Sequence, residues 1–270
     1  MDIDSDVRID GILAALEHRG QVSVTELSEE FGVSAVTIRK DLVALERRSL
    51  LQRVRGGARA SAPKEEGSFA DRLGRGAGAK KAIARHAASF VRNGDVIALD
   101  SSTSAYFLAL ELLDRRDLVV VTNSLRSATV LSEESDATVV LLGGTVRRTS
   151  ASTVGDISGV LVGRGRIGRA FVGVAGLSIE RGLLELSAAE AESKRAIVES
   201  AREVFALFDS AKADAFGLHS FAGTDRVTRL ITDSGFSDTD AAPWRDAGVS
   251  VDLCPAGAAA RGEDGGNATR

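Results

Sequence analysis

At 270 residues the chain is long for one compact domain, and 44% apolar with 27% charged residues is the balance of a globular protein with a sizeable core. A single cysteine, Cys254, excludes an internal disulfide framework, and three scattered histidines (His18, His86, His219) give no zinc-ligand spacing, so no metal or other cofactor is expected. Net charge is −4; the acidic opening MDIDSDVRID argues against a signal peptide, and no apolar run reaches membrane-spanning length, so no membrane span and a cytoplasmic protein are expected.

Residues 7–48 read as three successive helices. Ile9, Ile12, Leu13 and Leu16 recur at helical spacing, and the run stops at Gly20, a residue suited to a helix C-terminus. A capping-box pattern, Ser23-x-x-Glu26, opens a short second helix that closes at Gly32. Ser34 is placed to cap a third, whose Ile38, Leu42 and Leu45 share one face. The stretch LLQRVRGGA alternates and ends in Gly-Gly, as one arm of a hairpin does.

This region reverses the sign of the chain. From Phe31 to Ala60 there are seven basic residues against two acidic ones. In a helix-turn-helix the N-terminal half of the second helix enters the major groove. With Ile38, Leu42 and Leu45 turned inward, Ser34, Ala35, Thr37, Arg39 and Lys40 are left for base edges and phosphates. Arg53 and Arg55 on the hairpin are placed to reach the DNA backbone. A solvated charged face is the bland alternative. The coincidence of a tri-helical unit, a tight turn and a basic hairpin favours DNA.

The segment VSVTELSEEFGVSAVTIRKDLVALERRSLLQRVRGGA resembles the N-terminal winged helix-turn-helix of the DeoR family of bacterial sugar-operon regulators. Lys40 stands where that family usually has arginine and Arg55 where histidine is frequent; both keep or add positive charge.

Residues 60–74, including ASAPKEEGSF, read as a linker between a DNA-binding unit at 1–59 and an α/β domain at 75–255. In the latter, seven short β-branched runs (DVIALD, LVVVTN, ATVVLLGG, AFVGVAG, EVFALFD, VTRLITD, VSVDL) alternate with helix-like segments such as Lys80–Val91, Ser104–Leu113 and Ala188–Ala201. That alternation implies a mostly parallel sheet covered on both faces. Residues 256–270 hold no large apolar side chain and are expected to be a disordered tail.

Ligands of such sheets collect where strands end and helices begin. The run Asp100-Ser101-Ser102-Thr103-Ser104 follows an apolar strand and opens a helix, which suits a phosphate. Asn123, then Gly143 and Gly144, follow the next two strands and would line the same edge; Lys194 and Lys212 are candidate partners for the anion. Each loop has an ordinary reading as a capped βα turn, and each lysine as a solvated one. GRGRIG matches a dinucleotide fingerprint in letters only, since it precedes a strand instead of following one.

This half is similar to the DeoR-type sensor domain, itself akin to ribose-5-phosphate isomerase, on the hydroxyl loop, TNS, GG, FVGVAG, ESKR and DSAK. The resemblance implies a phosphorylated sugar or polyol effector, and a transcriptional repressor binding operator DNA. Ser102 stands where the family usually has glycine, and that side chain bears on the fit of the effector. Symmetric operators imply a homo-oligomer, dimer or tetramer. The main alternative is a sugar-phosphate isomerase with an appended DNA-binding domain. Those isomerases carry an acidic Asp-Gly-Ala-Asp where this chain reads Gly173-Val174-Ala175-Gly176, and Glu190 and Glu192 on a later helix are expected to face solvent, so no enzyme is expected.

Overall fold

A computed structural model describes residues 5–47, 51–60, 67–155, 167–213, 215 and 217–255. Among them no helix is long and apolar enough to cross a membrane.

The N-terminal unit is a winged helix-turn-helix: α1 (Ser5–Arg19), β1 (Gln21–Ser23), α2 (Val24–Phe31), α3 (Ala35–Arg47), β2 (Leu51–Val54) and β3 (Gly57–Ala60). Ile12, Leu13 and Leu16 of α1 close over Leu27, Ile38, Leu42 and Leu45 in one apolar core. Both halves of the Ser23/Glu26 capping box form, at 3.0 and 3.1 Å, and Gly32 ends α2 at φ 63°. Ser34 Oγ accepts the Thr37 N–H at 3.1 Å and so starts α3. The strands pair in the order β1-β3-β2. A Cβ on Gly57 would lie 2.0 Å from the Val22 carbonyl oxygen, so the second glycine of the Gly-Gly pair lets β3 close on β1. Three-residue β1 is too short to announce itself by alternation.

The second unit contains α4 (Phe69–Gly74), α5 (Ala77–Ala88), β4 (Val96–Leu99), α6 (Thr103–Glu111), β5 (Val119–Thr122), α7 (Leu125–Glu134), β6 (Thr138–Leu141), β7 (Thr145–Arg147), β8 (Ser152–Val154) and β9 (Ile167–Gly173). It continues with β10 (Gly176–Ser178), β11 (Gly182–Glu185), α8 (Ala188–Ser200), β12 (Ala201–Leu207), β13 (His219–Ala222), β14 (Arg229–Asp233), α9 (Asp238–Asp246) and β15 (Ser250–Cys254). Seven strands form one sheet in the order β15-β14-β12-β9-β4-β5-β6, and every pairing in it is parallel. Each of these seven overlaps one of the seven apolar runs of the sequence. A parallel sheet needs cover on both faces. One face packs Ile83, Leu108 and Leu131 from α5, α6 and α7, the other Ile197 from α8 and Trp244 from α9.

The antiparallel pieces, β10-β11-β13 and the β7–β8 hairpin, lie outside the main sheet. Their short strands carry no helix-alternating signal. Residues 60–74 are not all linker. The Ser68 side chain and Asp71 form a capping box that starts α4, and Phe69 is buried edge-on against Tyr106 with ring centroids 5.5 Å apart. The expectation of linker at 61–66, of a tail at 256–270, and the first part of GRGRIG fall outside the described residues.

Candidate functional site

Sheet order reverses between β4 and β9: the chain leaves β4 toward β5 and β6 on one side, and β9 toward β12, β14 and β15 on the other. The carboxyl ends of strands at such a switch point leave a crevice for a ligand. A cavity of about 400 Å³ opens there. Ser102, Thr103 and Ser104 border it beyond β4, Gly173 and Val174 beyond β9, and Asp209 and Lys212 beyond β12. Arg72, Arg75 and Lys80 close it from α4 and α5, and Glu185 and Lys194 complete the wall. Five cationic side chains therefore border the cavity against two carboxylates.

Its floor is organised by Asp100, which is fully buried. One carboxylate oxygen accepts the Ser102 N–H at 3.0 Å; the other accepts the Gly173 N–H at 2.9 Å and lies 3.1 Å from Lys194 Nζ. Asp100 thus ties the ends of the two switch-point strands together. Ser102 Oγ accepts the Ala105 N–H at 3.1 Å and caps α6, so the amino end of that helix, with Thr103 and Ser104 in its first turn, borders the cavity. Gly173 has to be glycine for the same reason: a Cβ there would sit 2.4 Å from that of Ser102.

Lys194 is 4% exposed and donates to Glu185 Oε2 at 2.6 Å and to the Gly173 carbonyl at 2.9 Å. Burial alone would lower its pKa, but Glu185, Asp100 and Glu190 outweigh it, and the ammonium is held above the ordinary lysine value. Its charge is already matched within the fold. Lys80 Nζ donates to the Arg72 and Arg75 carbonyls, each at 2.7 Å, so a buried ammonium caps the end of α4. Burial lowers its pKa against the pull of the Asp209 carboxylate.

Of the residues expected around an effector, the fold brings Ser102, Thr103, Ser104, Lys194 and Lys212 to one cavity. Asp100 and Ser101 lie buried behind it. Asn123, Gly143 and Gly144 are not brought to it, because β5 and β6 continue the sheet away from the switch point; the β7–β8 hairpin buries Asn123, while Gly143 and Gly144 stay exposed. Asn123 Nδ2 donates to the Thr153 carbonyl at 3.0 Å, Thr153 Oγ1 donates to the Leu142 carbonyl, and a Cβ on Gly144 would lie 2.5 Å from the Val154 carbonyl oxygen. Arg72, Arg75, Lys80, Glu185 and Asp209 escaped sequence reasoning. The Ser68-x-x-Asp71 pattern was the signal that α4 begins there.

Glu192 is exposed, but Glu190 does not face solvent. It is 2% exposed because the hairpin packs on its side of α8: Arg147 donates to its carboxylate at 2.7 Å and Ser152 Oγ at 3.3 Å. Burial would raise its pKa, yet Lys194, the Ser150 hydroxyl and Arg147 together hold it below the ordinary glutamate value.

On the N-terminal unit, Arg39 and Lys40 of α3 are exposed, as are Arg53 and Arg55 of the hairpin. Ala35 is half-buried and packs against the apolar core, and the Thr37 hydroxyl meets that of Ser34 at 2.9 Å. The acid on α3, Asp41, is withdrawn from this face: Arg8 of α1 holds it through two hydrogen bonds, at 2.6 and 3.3 Å, with both side chains buried. The basic face is therefore more strongly positive than the sequence count implies. Val36, absent from the sequence expectations, is 59% exposed beside Arg39 and Lys40.

Residues 8–64 match the family model of the DeoR-like helix-turn-helix domain, and residues 76–234 that of the DeoR C-terminal sensor domain. The HTH-type transcriptional regulator GolR of Listeria innocua is 32% identical over 90% of this chain and 96% of its own length. The glycerol-3-phosphate regulon repressor of Escherichia coli K12 is 29% identical over 92% and 98%, and the lactose phosphotransferase system repressor of Streptococcus mutans 32% over 84% and 91%. Among solved structures, ribose 5-phosphate isomerase A of Methanocaldococcus jannaschii overlaps 50% of this chain and 53% of its own at 18% identity and a TM-score of 0.37. A likeness that loose says nothing of activity.

Proposed function

The chain belongs to the DeoR family of helix-turn-helix transcriptional regulators, and on that footing we propose that it represses a carbohydrate-metabolism operon under the control of a phosphorylated sugar or polyol. The observation that carries the effector half is the cation-lined cavity at the β4–β9 switch point. The phosphate sits at the amino end of α6 against Thr103 and Ser104, where unpaired N–H groups and hydroxyls favour an anion. Lys212 and Arg75 supply the opposing charge, since Lys194 is neutralised by Asp100 and Glu185. Asp209 and the polar wall remain for sugar hydroxyls.

On the DNA side, Arg39 and Lys40 enter the major groove while Arg53 and Arg55 hold phosphates. In the cytoplasm the chain engages a symmetric operator as a homo-oligomer, a dimer or a tetramer. Effector occupancy alters operator affinity because it favours one arrangement of the protein; a coupling of about 1–3 kcal/mol corresponds to roughly 5- to 150-fold.

The cavity does not catalyse isomerisation in this reading. Of the two carboxylates that border the cavity, Glu185 is tied into the fold through both oxygens, one accepting the Leu186 N–H at 2.8 Å and the other bound to Lys194.

The test is fluorescence anisotropy with labelled DNA from upstream of the protein's own gene, at two salt concentrations and with a panel of sugar phosphates. Salt-sensitive binding altered by one compound is expected, and Thr103→Val should abolish the response to that compound while retaining DNA binding. Binding that no compound alters would refute the sensor half. Turnover of an aldose phosphate would refute the non-catalytic half.

A further inference from the structure

The exposed face of α3 is not the one its charges alone suggest. Ser34 and Thr37 are occupied with each other at the start of the helix, and Ala35 is turned against the core. What remains outward in the first two turns is Val36, Arg39 and Lys40, followed on the same side by Val43 and Ala44. Val36 is 59% exposed, whereas Ile38, Leu42 and Leu45 of the same helix are fully buried. Single exposed aliphatics are common and by themselves mean little. This one stands in the first turn of the helix that enters the groove, flanked by two cations that draw it against DNA. The apolar feature of a major groove is the thymine 5-methyl group, and a branched aliphatic side chain is suited to cover it.

We propose that Val36 determines sequence specificity by packing its isopropyl group on the 5-methyl of one thymine in each operator half-site, with Arg39 and Lys40 providing the polar contacts beside it. The proposal rests on the DNA-binding reading above. It assigns the apolar part of recognition to Val36 and not to Ala35 or Thr37, whose small side chains are half-buried or engaged.

The experiment separates this claim from DNA binding in general. The full-length chain selects its operator from a pool of random duplexes. Each thymine of the selected half-site is then replaced in turn by deoxyuridine, which removes the methyl group and nothing else. The wild type is expected to lose roughly fourfold in affinity at one thymine per half-site, the equivalent of about 0.8 kcal/mol for one buried carbon. Val36→Ala should bind the thymine operator more weakly by a similar factor and show no further loss on the deoxyuridine operator. Alanine improves helix propensity at an exposed position, so the variant should fold, as circular dichroism would verify. A wild type indifferent to deoxyuridine at every position would overturn the proposal. So would a Val36→Ala variant that remains as sensitive as the wild type, since the methyl would then be read elsewhere. If no duplex is selected at all, the DNA-binding reading falls with it, an outcome distinct from the other two.

Discussion

Replacing Lys194 by methionine tests whether the innermost cation of the cavity serves the fold or the ligand. Methionine keeps much of the apolar stem but leaves Glu185 and Asp100, at 1% and 0% exposure, without their counter-ion. Removing one partner of a buried ion pair costs about 3–5 kcal/mol, because the remaining charge stays buried and uncompensated. At about 2–4 °C per kcal/mol for a domain of this size, the variant should melt roughly 6–20 °C below the wild type. The pH dependence has a definite sign. The pKa of Lys194 is raised, so its contribution is fully present below the unfolded lysine value of about 10.4 and is lost only as pH climbs through the higher folded value. The wild type should therefore draw no pH dependence from this group between about pH 6 and 9. Urea unfolding of Lys194→Met, Glu185→Gln and the double variant near neutral pH is the assay. The double should lose less than the two singles together, with a coupling of about 0.5–3 kcal/mol. A loss below about 1 kcal/mol for Lys194→Met, or additive losses, would refute the reasoning, because a buried pair broken on one side cannot be that cheap.

Gly173→Ala should cost about 1–3 kcal/mol by overpacking, since its Cβ would press on Ser102, and should weaken effector binding by displacing the α6 cap; calorimetry that detects unchanged affinity would argue against the position given to the phosphate. Cys254 is buried, and burial together with the Asp252 and Asp233 carboxylates pushes its thiol up to about 11. The native protein should accordingly resist a thiol reagent at neutral pH and react in full once unfolded; rapid native labelling would contradict the burial. Arg39→Ala should weaken operator binding by roughly 5- to 150-fold, the equivalent of about 1–3 kcal/mol, with the melting temperature unchanged; equal operator affinity would remove Arg39 from the DNA contacts.

Much of the architecture follows from local pattern. The capping box at Ser23, the stop at Gly32, the inward triad Ile38, Leu42 and Leu45, and seven apolar runs alternating with helices are nearest-neighbour and periodic features, and these are what a linear reading detects. The Ser68/Asp71 box that opens α4 is a local pattern too, although it lies within a stretch whose composition reads as linker.

Other features depend on where strands fall in the sheet. Nothing in the chain order says that β9 lies against β4 while β5 and β6 extend the other way, yet that placement puts the Ser102–Ser104 loop, Gly173 and Lys212 around one cavity, buries Asn123 against the β7–β8 hairpin and leaves Gly143 and Gly144 exposed away from the cavity. Burial likewise arises only from packing between distant segments. Glu190 reads as a solvent-facing helix charge and Lys194 as a candidate partner for an anion until Asp100, Glu185 and Arg147 are brought to them from elsewhere in the chain. The sequence by itself therefore determined the kind of elements, their order and a DNA-binding unit of local design. Tertiary structure alone decided which charges are consumed in holding the fold and which remain to meet a ligand, because that division depends on contacts between residues far apart in the chain.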